Sequence, residues 1–142
     1  MIDHNGQIML DLNEQITPHF KRRELTCKCG CGFCEPTDEF KKLIEHVRQI
    51  LGVPMYCEKH SGCRCRKHNA AVGGSPNSKH MTGQALDFDC DNRLSPVAIY
   101  NILLAKYIHS ELPELGGMGL YKTFVHIDCW HAEDGHLRLW RG

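Results

Sequence analysis

Between Thr37 and Gly52 lies the stretch that most restricts how this chain can fold. Phe40, Leu43, Ile44, Val47, Ile50 and Leu51 recur on one helical face. Thr37 is a suitable N-cap, and Asp38 and Glu39 follow it where the helix end is positive. Gly52 stops the run and Pro54 forbids its continuation. The spacing therefore predicts a long amphipathic helix beginning at Pro36-Thr37. One apolar face of that length must be covered by other elements, and glycine and proline keep most of those short.

Around this helix the pattern predicts smaller pieces. Residues 1–19 read as an N-terminal arm packing on the domain, broken by Thr17-Pro18. Cys27 to Cys34 reads as a loop, because two glycines and four cysteines support no periodicity. A short strand is expected from Val53 to His60, a turn at Ser61-Gly62 and a short helix from Arg64 to Val72. Gln84 to Cys90 alternates, with Leu86 and Phe88 on one side and Ala85, Asp87 and Asp89 on the other. Ser95-Pro96 opens a second helix, with proline at its first position, running to about His109. Met118 to Tyr121 and Phe124 to Cys129 read as a hairpin, and Leu137 to Trp140 as a last strand. Together these predict an α+β fold with a small, mostly antiparallel sheet and helices packed on one side.

The bulk numbers exclude several roles. A chain of 142 residues suits one domain, 1–142, with a real core. Lysine plus arginine total 17, as do aspartate plus glutamate, so no net charge favours nucleic acid or an anionic membrane as partner. No run is long enough to span a membrane. A monomer is expected. Met1 to Gly6 has neither a basic nor an apolar signal region, so synthesis in the cytoplasm is the expectation.

Ten histidines and nine cysteines stand out. Nine is odd, so at least one thiol is free or intermolecular if the others pair. A reducing compartment favours thiols or metal ligation over disulfides. Cys27, Cys29, Cys31 and Cys34 are a candidate structural zinc set, but Cys-x-Cys-x-Cys-x-x-Cys is an uncommon knuckle spacing. Structural roles are therefore expected for these four, and for Cys57, Cys63, Cys65 and Cys90, as buried thiols or disulfides.

The chemistry-bearing residues lie further on. His80 and Asp87 stand seven positions apart, and His126-Ile127-Asp128 supplies a second close pair. Two imidazoles and a carboxylate make a tetrahedral zinc site with one position left for water. On the strand from Phe124, His126 and Asp128 share a face, with same-side residues roughly 6–7 Å apart. On that spacing His126 binds the ion while Asp128 reaches its water. The other reading of Asp128 is a carboxylate that orients a histidine.

The combined wording is more specific than any one pair. Ser78-x-His80-x-x-Gly83-x-Ala85-x-Asp87 follows Ser61-Gly62-x-Arg64 and Asn69-x-x-Val72-Gly73-Gly74, and precedes Phe124-Val125-His126-Ile127-Asp128. This order resembles the D-alanyl-D-alanine carboxypeptidase-like zinc peptidases. They belong with a broader group of murein endopeptidases, phage endolysins and the hedgehog signalling domain. The resemblance runs from about Thr17 to Trp140.

It implies one zinc ion per chain in a cleft, held by His80, Asp87 and His126. Arg64 would grip a substrate carboxylate or the developing oxyanion, and Ser78 and Asp89 would support the site or contact substrate. Many carboxypeptidase members carry a glutamate base three residues before the last histidine ligand. Here that position is Thr123, so Asp128 is the expected general base.

The implied activity is hydrolysis of peptide bonds in the peptidoglycan stem peptide, by a D-Ala-type carboxypeptidase or an endopeptidase of the endolysin kind. The alternative is an inactive zinc-containing domain of the same fold that binds cell wall or protein. Action on the wall without a signal implies release of the phage type.

Overall fold

A computed structural model describes residues 11–142. The first ten residues of the expected N-terminal arm lie outside the described residues. The rest of the arm contributes β1 (Gln15–Thr17), which pairs antiparallel with β2 (Phe20–Lys21) and leads into α1 (Arg22–Leu25).

The long helix forms as its caps dictate. α2 spans Asp38–Leu51, Thr37 Oγ1 accepts the Phe40 N–H, and Gly52 ends the helix in the left-handed conformation. Phe40, Leu43, Ile44 and Val47 are fully buried, while Ile50 and Leu51 pack at the core edge. The segment Val53–His60 is not a strand. It makes only an isolated bridge, Tyr56 to Asp89, because Pro54 and the turn at Cys57–His60 leave no room for a ladder. Past it, α3 (Arg66–Ala71) is shorter than expected, starting after Cys65 rather than at Arg64.

Lys79–Thr82 forms a 3₁₀ turn that delivers the chain to β3 (Ala85–Phe88). α4 (Pro96–Ile108) is capped by Ser95, whose hydroxyl accepts the Ala98 N–H. The hairpin follows as β4 (Gly117–Leu120) and β5 (Val125–Asp128), and β6 (Arg138–Arg141) closes the chain. The main sheet has the order β3-β5-β4-β6. β5 is antiparallel to both neighbours, and β6 is parallel to β4. The architecture is thus α+β with a mostly antiparallel sheet, as the patterning predicts.

The register gives the sheet two unlike faces. Leu86, Ile127 and Met118 lie side by side across β3, β5 and β4, as do Phe88, Val125 and Leu120. These six join Phe40, Leu43, Ile44, Ile99 and Leu103 of α2 and α4 in one core. The alternate positions form two polar rows on the other face: Asp87, His126, Gly119 and Trp140, then Ala85, Asp128, Gly117 and Arg138. α2 and α4 cover one face, and the chemistry-bearing residues occupy the other. Leu103 is fully buried between the layers. Leu103→Ala should lower the unfolding free energy by about 2–5 kcal/mol, read as a lower denaturant midpoint with an unchanged slope.

Candidate metal centre

Asp87 and His126 are partners directly across β3 and β5. Residues so paired hold their β-carbons about 5 Å apart, close enough for both side chains to share an ion. His80 comes from the 3₁₀ turn. Ser78 Oγ accepts the His80 N–H and starts that turn, and Gly83 ends it at φ 68°. A side chain at Gly83 would also overlap the Glu35 carbonyl, so the turn fits only glycine there.

The ligand atoms of His80, Asp87 and His126 lie within 4.8 Å of one another, and all three residues are buried. Asp87 Oδ1 is 3.2 Å from His80 Nε2 and 2.8 Å from His126 Nδ1. Each imidazole turns its other nitrogen outward to a fixed acceptor. His80 Nδ1 donates to the Gly62 carbonyl at 2.8 Å, and His126 Nε2 donates to Asp128 Oδ2 at 2.9 Å. Histidines that ligate a metal almost always anchor the second ring nitrogen this way, which fixes tautomer and ring plane. Three converging donors of this type fit a zinc ion with an open fourth position.

The electrostatics agree. Burial pushes the Asp87 carboxyl up, but hydrogen bonds from His126 and His80 outweigh it and hold the group well below the usual carboxylate range. Burial disfavours charge on His126, yet Asp128 and Asp87 on either side raise it to about 9. Asp87 is thus held as the carboxylate, the form that ligates a cation.

Asp128 meets the second ring nitrogen of His126. It shares a strand face with His126, but it lies across the imidazole from Nδ1 and is fully buried. Oδ2 is taken by His126, while Oδ1 accepts from Arg138 and from the Trp130 N–H. Gly117 makes this possible, because a β-carbon there would lie 2.7 Å from Asp128 Oδ2.

Arg64 lies at the cleft wall. Its Nη1 donates to Asn69 Oδ1 at 2.9 Å, and its buried Nε has no partner among the described residues. Asn69 is fixed in turn by the Ser75 carbonyl, and Gly74 leaves no room for a β-carbon beside the pair. Ser78 is at the cleft, as expected, with its hydroxyl spent on the turn. Asp89 is not at the cleft. It pairs with His60 at 2.7 Å and lines a separate cavity, because it continues past the end of β3.

The cleft has a volume of about 470 Å³. Several of its residues escape a reading of the sequence. Trp140 packs its ring 5.0 Å from that of His126 and donates Nε1–H to Tyr121 Oη. Tyr121 stacks on Phe124 at 4.5 Å. Arg138 buttresses Asp128, and Lys79 lies over the Trp130 ring. No local spacing signals Arg138 and Trp140, since β6 reaches the site only through its parallel pairing with β4. The downstream histidines stay apart: His131 contacts the Pro113 carbonyl, and His136 is exposed.

No curated protein and no solved structure matches the chain. A family model described as Peptidase M15 matches residues 18–128, more than three quarters of the sequence. That span contains His80, Asp87, His126 and Asp128 and most of the cleft wall. The chain belongs to the Peptidase M15 family of zinc-dependent metallopeptidases.

Proposed function

We propose that the protein is a zinc peptidase that hydrolyses peptide bonds in bacterial peptidoglycan, with His80, Asp87 and His126 as the ligands of its catalytic ion. The observation that carries this reading is the convergence of those three side chains in a cleft that also holds Arg64. A zinc ion there supplies Lewis acidity and an activated water, the chemistry that peptide hydrolysis needs. The chain's own residues supply orientation and charge.

Two cations of the cleft, Arg64 and Lys79, have no carboxylate partner among the described residues. Its two carboxylates, Asp87 and Asp128, are committed to the histidines, while Arg64, Lys79 and Arg138 line it. Peptidoglycan stem peptides carry free carboxylates, which a guanidinium can grip in bidentate fashion. Arg64, held by Asn69, is preorganised for a substrate carboxylate or for charge developing on the scissile carbonyl oxygen. Arg64→Ala is expected to lower kcat/KM by roughly 10²–10³-fold, the cost of losing one such donor. Steady-state rates on muropeptides check this, and an unchanged kcat/KM would remove Arg64 from the site.

Asp128 serves this reading best as the group that holds His126. Its hydrogen bond to Nε2 orients the ring and makes Nδ1 a better donor to the ion. The activity would be that of a D-Ala-type carboxypeptidase or of an endopeptidase. Substrate in the wall requires the protein to reach it, and release of the endolysin kind accounts for that.

One observation favours a second reading, a zinc-containing binder of cell wall or protein without turnover. Among the described residues, no cleft carboxylate is free to act as a base. Digestion of purified peptidoglycan with zinc-loaded protein, followed by mass spectrometry, separates the two. New amine ends support the peptidase and identify the bond cut. Intact muropeptides, with protein retained on the sacculi, support the binder.

A further inference from the structure

A second group of metal-binding atoms lies outside the cleft. Cys27, Cys29, Cys31 and Cys65 bring their sulfurs within 4.8 Å of one another. Cys29 Sγ is 3.5 Å from Cys27 Sγ and 3.7 Å from Cys65 Sγ. Zinc bound at about 2.3 Å to four sulfurs spaces them about 3.8 Å apart along the edges of the tetrahedron. A disulfide needs about 2.05 Å, and these four cysteines are all free thiols.

We propose that Cys27, Cys29, Cys31 and Cys65 hold a second, structural zinc ion. The assignment does not depend on the catalytic reading of the cleft. It replaces Cys34 of the sequence-based set with Cys65, from a segment more than thirty residues further along. Cys34 turns instead into the core, in the same buried cluster as Cys63. Gly30 and Gly32, at φ 85° and 86°, let the loop reverse direction between closely spaced ligands.

The backbone around the four sulfurs is already arranged for thiolates. Cys27 Sγ accepts the Cys65 N–H at 3.4 Å, Cys31 Sγ the Phe33 N–H at 3.4 Å, and Cys65 Sγ the His68 N–H at 3.3 Å. Three of the four sulfurs thus receive donors that favour the charged form, the form that binds metal. Zinc and four thiolates carry two net negative charges. Lys28 stands between two ligands and Arg66 follows the fourth, both positive. Binding releases the thiol protons to solvent and needs no redox partner.

The ion would also brace the catalytic cleft. The Cys63 N–H bonds the Leu25 carbonyl, so chain 61–65 lies against the cysteine loop. That same segment gives its Gly62 carbonyl to His80 and its Ser61 carbonyl to the Asp87 N–H. The zinc would therefore tie the Cys27–Cys31 loop to the strip of backbone that positions two of the cleft's metal-binding residues and carries Arg64.

Elemental analysis of the full chain tests this. Wild type should hold two zinc ions, and Cys29→Ser/Cys31→Ser and His80→Ala should each hold one. Cobalt-substituted wild type should show intense near-ultraviolet sulfur-to-cobalt absorption. His80→Ala should keep that absorption, because the cleft has no thiol ligand. This spectrum keeps the test decisive even if the double serine variant fails to fold. The proposal is overturned if wild-type cobalt protein lacks the absorption. It is also overturned if a folded double serine variant keeps the wild-type zinc count, or if a disulfide links any two of the four cysteines.

Discussion

His80→Ala is expected to abolish zinc-dependent hydrolysis while leaving the protein folded. His80 gives one ring nitrogen to the centre and the other to the Gly62 carbonyl. Its loss leaves two ligands, which do not hold a catalytic zinc against water. The remaining network stays paired: Asp87 with His126, and Asp128 with His126 and Arg138. Metal content should therefore fall by one ion per chain, with turnover at background and circular dichroism unchanged. A variant that keeps both the ion and the activity would mean that the metal is held elsewhere.

Asp128→Asn has the next largest effect, and it separates two roles for this carboxylate. Asparagine can still accept from His126 Nε2 but brings no charge. If Asp128 acts by orienting His126, zinc affinity at the cleft should fall by about 10–100-fold. Saturating zinc should then restore most of the turnover. If Asp128 were itself the general base, turnover would fall by about 10²–10⁴-fold at full zinc occupancy. The geometry favours the first outcome, because both carboxylate oxygens are engaged away from His126 Nδ1. Zinc titrations of the variant, read once by binding and once by rate, tell the two apart. The charge of Asp128 also matters to Arg138, whose Nε already lacks a partner among the described residues. Some loss of stability should therefore accompany the substitution.

The sequence reveals most where the causes are local. α2 and α4 start at Thr37 and Ser95 because each hydroxyl caps a helix, and α2 stops where Gly52 and Pro54 require it. His80, Asp87 and His126 are legible as ligand types in a recognisable order. What their spacing does not contain is the register that sets Asp87 opposite His126, a long-range property of the sheet. Alternation along the strand puts Asp128 beside His126, yet ring orientation decides which nitrogen it meets. Asp89 alternates correctly with Asp87 but runs off the end of β3 into another cavity. Val53–His60 has strand-forming residues but no neighbour with which to pair, apart from one bridge. Arg138 and Trp140 reach the site only because two glycines on β4, Gly117 and Gly119, leave space above the sheet. The cysteine cluster follows the same logic. Three of its members alternate along one short loop, and the fourth arrives only when the chain folds back at Cys63–Cys65.

In the proposed reaction, the ion held by His80, Asp87 and His126 drives hydrolysis. Chelator-stripped protein should therefore be incubated with purified peptidoglycan while zinc is added back and new amine ends are counted. No release is expected without metal, and release should rise with occupancy of the cleft and be absent in His80→Ala. Release that persists after stripping, or none at full cleft occupancy, would mean that this ion does not drive hydrolysis.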